Sequence, residues 1–152
     1  MFKFVLASLF LCCLCSEVVA QDAQTKAFEA GANNFVSEAL ACQHYFLIAA
    51  SGMEGPGDAN TPESQRVIKA YKKGAEKMMM AAFATAQQIN MTNAGLLARG
   101  KLVGEELKAL MNNSMTNFSV LAVRYGDLCK AIHEKPWERI RTLANKELGQ
   151  NK

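Results

Sequence analysis

The sequence predicts an all-α protein: a four- to five-helix bundle with one interhelical disulfide, following a cleaved signal peptide. Three observations carry this expectation. Apolar residues recur at helical spacing through nearly everything after Gln21, and no stretch alternates as a strand would. Polar, glycine- or proline-bearing breaks cut that periodic stretch into pieces of helix length. The two cysteines beyond the amino-terminal segment, Cys42 and Cys129, both fall on apolar stripes.

The amino terminus comes first. Met1-Phe2-Lys3-Phe4 is a short basic start, and Val5 to Cys15 is an uncharged apolar run. That run is shorter than the ~20 residues a helix needs to span a bilayer. Val18-Val19-Ala20 then puts a small residue before a cleavage point, completing a secretory pattern. The expectation is a signal peptide over residues 1–20 and a single helical domain over 21–152, placed in the periplasm or secreted. An uncleaved anchor is the competing reading, and the short apolar core speaks against it. Cys12, Cys13 and Cys15 lack the preceding small residue of a lipid-anchored cysteine. No later segment reads as a membrane span.

The remaining chain, about 130 residues, suits one domain with its own core. Its net charge of +3 is mildly basic, short of a nucleic-acid-binding balance. In an oxidising compartment two cysteines most often join, so a Cys42–Cys129 bond is expected.

Helix by helix, the first is expected from about Thr25 to Ser51. Phe28, Ala32, Phe35, Ala39, Cys42, Phe46, Ala49 and Met53 form one stripe, and Val36, Leu40 and Leu47 a second. Residues 45–50 are apolar all round, which predicts a buried end. Glu54 to Asn60 is the clearest loop. Thr61 then offers an N-cap with Pro62 at the first helical position. The second helix runs to about Ile89, with Val67, Tyr71, Ala75, Met78, Met79, Ala82 and Ala86 inward. Thr92 caps a third helix carrying Leu96, Val103, Leu107, Leu110 and Met111. Its Gly100 and Gly104 share a face and predict close packing. Asn112 to Asn117 is a turn. The fourth helix sets Phe118, Ala122, Tyr125, Leu128, Cys129 and Ile132 on one stripe. It stops before Pro136, since the residue preceding proline avoids the helical region. A short last helix turns Trp137, Ile140, Ala144 and Leu148 inward.

Chemistry is sparse. Gly95 to Lys101 resembles a phosphate-binding loop, but Leu102 stands where a hydroxyl must hold magnesium, and no strand precedes it. His44 and His133 pair by position with Cys42 and Cys129, and are the candidate metal ligands. Cys42 and His44, two apart on a helix, point away from each other, and a disulfide would consume both thiols. The bland roles are a core histidine at 44 and, at 133, a cation at a helix C-terminus. Methionines, among them Met78, Met79, Met80, Met111 and Met115, suit core filling, with copper(I) as the functional alternative. Haem held by a histidine and a methionine is a further alternative; no covalent attachment motif is present. Arg66, Lys69, Lys73 and Lys77 form a basic stripe, read as either a solvated face or a docking surface. Asn90, Asn112 and Asn117 head glycosylation sequons. No nucleophile elbow, zinc-protease helix or dinucleotide fingerprint occurs.

These features predict a non-enzymatic binding protein that engages another extracytoplasmic protein, such as an inhibitor's or neutraliser's target. The expected contacts are the loops at 54–60 and 112–117. No cofactor, nucleic acid or membrane span is expected after signal removal. The alternative is a carrier of a small ligand, haem or metal in the bundle core. An enzyme with a site assembled only in space stands third.

Overall fold

The structure is a computed structural model that describes residues 5–55 and 61–149, with side chains from Gln21 onward. Five α-helices follow in order: α1 (Val5–Met53), α2 (Pro62–Gln88), α3 (Asn93–Leu110), α4 (Phe118–Glu134) and α5 (Pro136–Glu147). A 3₁₀ turn at Met115–Asn117 leads into α4. Among the described residues there is no strand, and no helix is long and apolar enough to cross a membrane. Residues 1–4 of the expected signal segment and 56–60 of the expected loop lie outside the described residues.

Helix α1 is longer than expected, running from Val5 rather than from about Thr25. Nothing near Gln21 stops a helix there. Thr25, a candidate cap by residue type, instead donates its hydroxyl to the Gln21 carbonyl one turn back, at 2.9 Å. Lys26 and Asp22 form an i,i+4 ion pair at 2.7 Å across the same turn. The other boundaries follow the sequence signals. Ser64 N donates to Thr61 Oγ1 at 3.1 Å, and Gly95 N to Thr92 Oγ1 at 3.1 Å, so both threonines cap. Asn112 and Asn113 take φ of 50° and 55°, the left-handed region that asparagine tolerates.

Helix α1 is the spine, and each of α2 to α5 packs on it. Gly31 lies against Ala144, Glu38 grips Arg139, and Cys42 is bonded to Cys129. The order of those contacts makes α4 and α5 one broken arm, interrupted at Lys135-Pro136 and antiparallel to α1. Phe46 beside Gly74 and Glu54 beside Lys72 set α2 antiparallel as well. Asn33 with Arg99, Leu40 with Gly100 and His44 with Gly104 set α3 parallel to α1. The result is an up-down-up-down bundle whose last helix is broken in two.

Phe35, Val36, Leu40, Met78, Leu107, Leu121 and Ile132 are fully buried around the disulfide. Several expected core positions are not. Phe28, Leu47 and Met53 are partly exposed, because the ends and outer face of α1 reach beyond its neighbours. Trp137, expected inward, is 62% exposed. It lies in the first turn of α5, before Arg139, the residue that α1 grips; Ile140 and Leu143 supply the buried face. Ile68, Leu121 and Leu143 are core residues that the stripe reading passes over.

Candidate functional site

Helices α2 and α4 both pack on α1 yet touch each other little, and a cleft of ≈590 Å³ opens between them. Tyr45 and Phe46 of α1 and Tyr71 of α2 make its floor. The rings form a cluster: Phe46 lies 5.5 Å from Tyr45 and 6.0 Å from Tyr71, and His133 meets it edge-on at 6.3 Å. Phe118 stacks behind Tyr45 at 5.6 Å. Gly74 permits this approach, since a Cβ there would come within 3.2 Å of the Phe46 ring.

Arg66 and Lys130 bring positive charge to the rim, His133 adds an imidazole, and no carboxylate lines the cleft among the described residues. Arg66 is paired with Glu63 at 3.0 Å, but that pair is well exposed and holds it weakly. Burial, with Tyr71 second, raises the Tyr45 hydroxyl above the usual tyrosine value, keeping it neutral.

His133 behaves differently from a helix-terminal cation. Burial and then Lys77 hold its pKa below the usual histidine value, against a smaller opposing effect of Glu134. Lys77 Nζ donates to the His133 carbonyl at 2.6 Å, so Lys77 supplies the positive charge at the end of α4. The folded protein therefore resists protonating His133 more than the unfolded chain does. That contribution is complete above about pH 6.5, the unperturbed histidine value, and is lost as pH falls from there through the depressed folded value. Melting midpoints measured downward from pH 7.5 should fall more for the wild type than for His133→Gln. Parallel curves would contradict this.

The basic stripe divides among three surroundings. Arg66 stands on the cleft rim, and Lys77 is committed to α4. Lys69 and Lys73 line a separate groove with Glu54 and Lys72, which pair at 2.6 Å. The cysteine–histidine quartet does not assemble. The sulfurs are joined in the Cys42–Cys129 bond. His44 faces α3, its Nε2 2.9 Å from the Gly100 carbonyl, while His133 packs on Phe46. Among the described residues no three His, Cys, Asp or Glu side chains gather as a metal site. The segment resembling a phosphate loop is continuous α-helix, with Arg99 docked on Asn33. Of the sequon asparagines, Asn90 and Asn112 are exposed. Asn117 donates its Nδ2 to the Met111 carbonyl at 3.0 Å, so the atom a glycan would occupy closes the turn.

No protein-family model, curated protein or solved structure matches this chain. Lys130 and the convergence of Tyr45 with Tyr71 are not apparent from helical periodicity. The available signal was Gly74 and Gly126, one on each wall. An interior glycine costs a helix about 1 kcal/mol relative to alanine, so each asks for a local reason.

Proposed function

We propose that the chain is an exported, non-enzymatic binding protein that seats a small amphipathic carboxylate in the cleft between α1, α2 and α4. One observation carries the reading: an aromatic floor beneath a rim bearing the cations Arg66 and Lys130, with the His133 imidazole beside them and no acid in the described lining. The volume is in the range of small-ligand sites, and apolar walls with a few placed polar groups are their usual makeup. Aromatic rings would take the hydrophobic body, and the cations would take the head. Binding rather than catalysis is favoured because the lining holds no serine, cysteine or carboxylate to act with His133.

Calorimetry with aromatic and aliphatic carboxylates and their matching alcohols tests this. The carboxylates should bind at least about tenfold more tightly than the alcohols, which corresponds to 1.4 kcal/mol. Ala70→Trp fills the cleft from an exposed position and should abolish binding at an unchanged melting midpoint. Equal affinity for acid and alcohol, or full binding by Ala70→Trp, would refute the proposal.

A further inference from the structure

A second concavity, of ≈380 Å³, lies where α1 meets the end of α3. Three residues with soft donor atoms line it: His44, Met111 and Met115. They come from three elements, α1, the C-cap of α3 and the 3₁₀ turn, so sequence spacing alone does not bring them together. We propose that this concavity is a site for monovalent copper, bound by the His44 imidazole and the two thioethers.

The imidazole is prepared for that role. His44 Nε2 lies 2.9 Å from the Gly100 carbonyl, which only accepts, so Nε2 carries the proton and Nδ1 keeps its lone pair. Metal-binding histidines characteristically donate the other ring nitrogen's proton in this way, which fixes tautomer and orientation. The ring is also clamped. A Cβ on Gly104 would fall 2.8 Å from Cε1 and 3.1 and 3.2 Å from the two nitrogens. These near-equal distances place Gly104 on the face of the ring, leaving the Nδ1 edge uncovered by it. Met111 is 4% exposed and Met115 44% exposed, so one thioether is set in the core and the other can adjust.

The donor chemistry selects the ion. No carboxylate lines the concavity, and Lys108 does. A divalent ion favouring oxygen would find only the neutral Ser51 and Asn113 oxygens, with no anionic ligand among the described lining residues and a lysine beside them. Thioethers favour copper(I), and a neutral nitrogen–sulfur set beside a lysine costs least for a single positive charge. The disulfide leaves Cys42 and Cys129 unable to compete as thiolates.

Titration of the full oxidised chain with copper(I) against a chromophoric copper(I) chelator tests the site. One equivalent should bind, and X-ray absorption should report both sulfur and nitrogen neighbours. His44→Gln can still donate to Gly100 but lacks the imidazole lone pair, and Met115→Leu changes a half-exposed side chain. Each should weaken binding at least about tenfold, or 1.4 kcal/mol, with the melting midpoint of the metal-free protein preserved. No binding by the wild type, or undiminished binding by both variants, would overturn the proposal. These outcomes are independent of the cleft, since neither variant lies in its lining.

Discussion

Replacing both cysteines, Cys42→Ala with Cys129→Ala, is expected to remove 2–5 kcal/mol of stability, the usual cost of losing a native disulfide. The bond joins residues 87 apart in sequence, and both are fully buried. A loop that long corresponds to roughly 4–5 kcal/mol in the chain-entropy description, which acts through the unfolded state. The bond pins the spine α1 to the arm formed by α4 and α5. A domain of ordinary stability has only about 5–15 kcal/mol in total, so the loss is a large fraction. Urea unfolding of the oxidised, reduced and double-alanine proteins measures it. The midpoint should fall in both altered forms. The slope should rise as well, because an uncrosslinked unfolded chain exposes more surface. A loss under about 1 kcal/mol would mean that packing around Phe35, Leu40 and Ile132 holds the arm without help.

The elements legible in the sequence are those with a local cause. Thr61-Pro62 and Thr92 start helices because a hydroxyl can meet a free amide two or three residues on, whatever the rest of the chain does. Lys135-Pro136 ends one through a clash within two residues. The cysteine pair was legible because both residues share the apolar pattern of their helices. The beginning of α1 was less legible, because Thr25 serves equally as a cap or, bonded to Gln21, as a mid-helix residue. Trp137 was misplaced because periodicity gives a helix's apolar face but not how far a neighbour extends along it. The cleft exists because α2 and α4 stand apart on α1, which is a property of packing. The sequence holds Tyr45, Phe46, Tyr71 and Lys130 without showing that they meet. The same is true of His44, Met111 and Met115, which belong to separate elements that only the return of α3 alongside α1 brings together.

The contact between α1 and α5 provides the second large effect. Gly31→Ala should destabilise the protein by about 1–3 kcal/mol, the usual range for overpacking. On helix propensity alone the substitution would stabilise by about 1 kcal/mol. The two expectations have opposite signs, so the experiment separates them. Geometry decides for destabilisation. A Cβ on Gly31 would lie 2.6 Å from the backbone nitrogen of Ala144 and 2.9 Å from its Cα. Main-chain atoms inside a helix cannot swing aside as a side-chain tip can, so α5 must move away from α1. Movement there loosens Ile140 and Leu143, which are buried on α1, and the Glu38–Arg139 pair. Arg139 Nε donates to Glu38 Oε2 at 2.7 Å, and this bond raises the arginine's pKa above its ordinary value. Ala144→Gly should not rescue the variant, because the clash is with main chain rather than with the alanine methyl. Urea midpoints give the sign, and hydrogen exchange gives the place. Amides of 136–147 should exchange faster in Gly31→Ala while those of α2 change little. A stabilised variant with unchanged exchange in α5 would show that the arm rides on α1 more loosely than this contact implies.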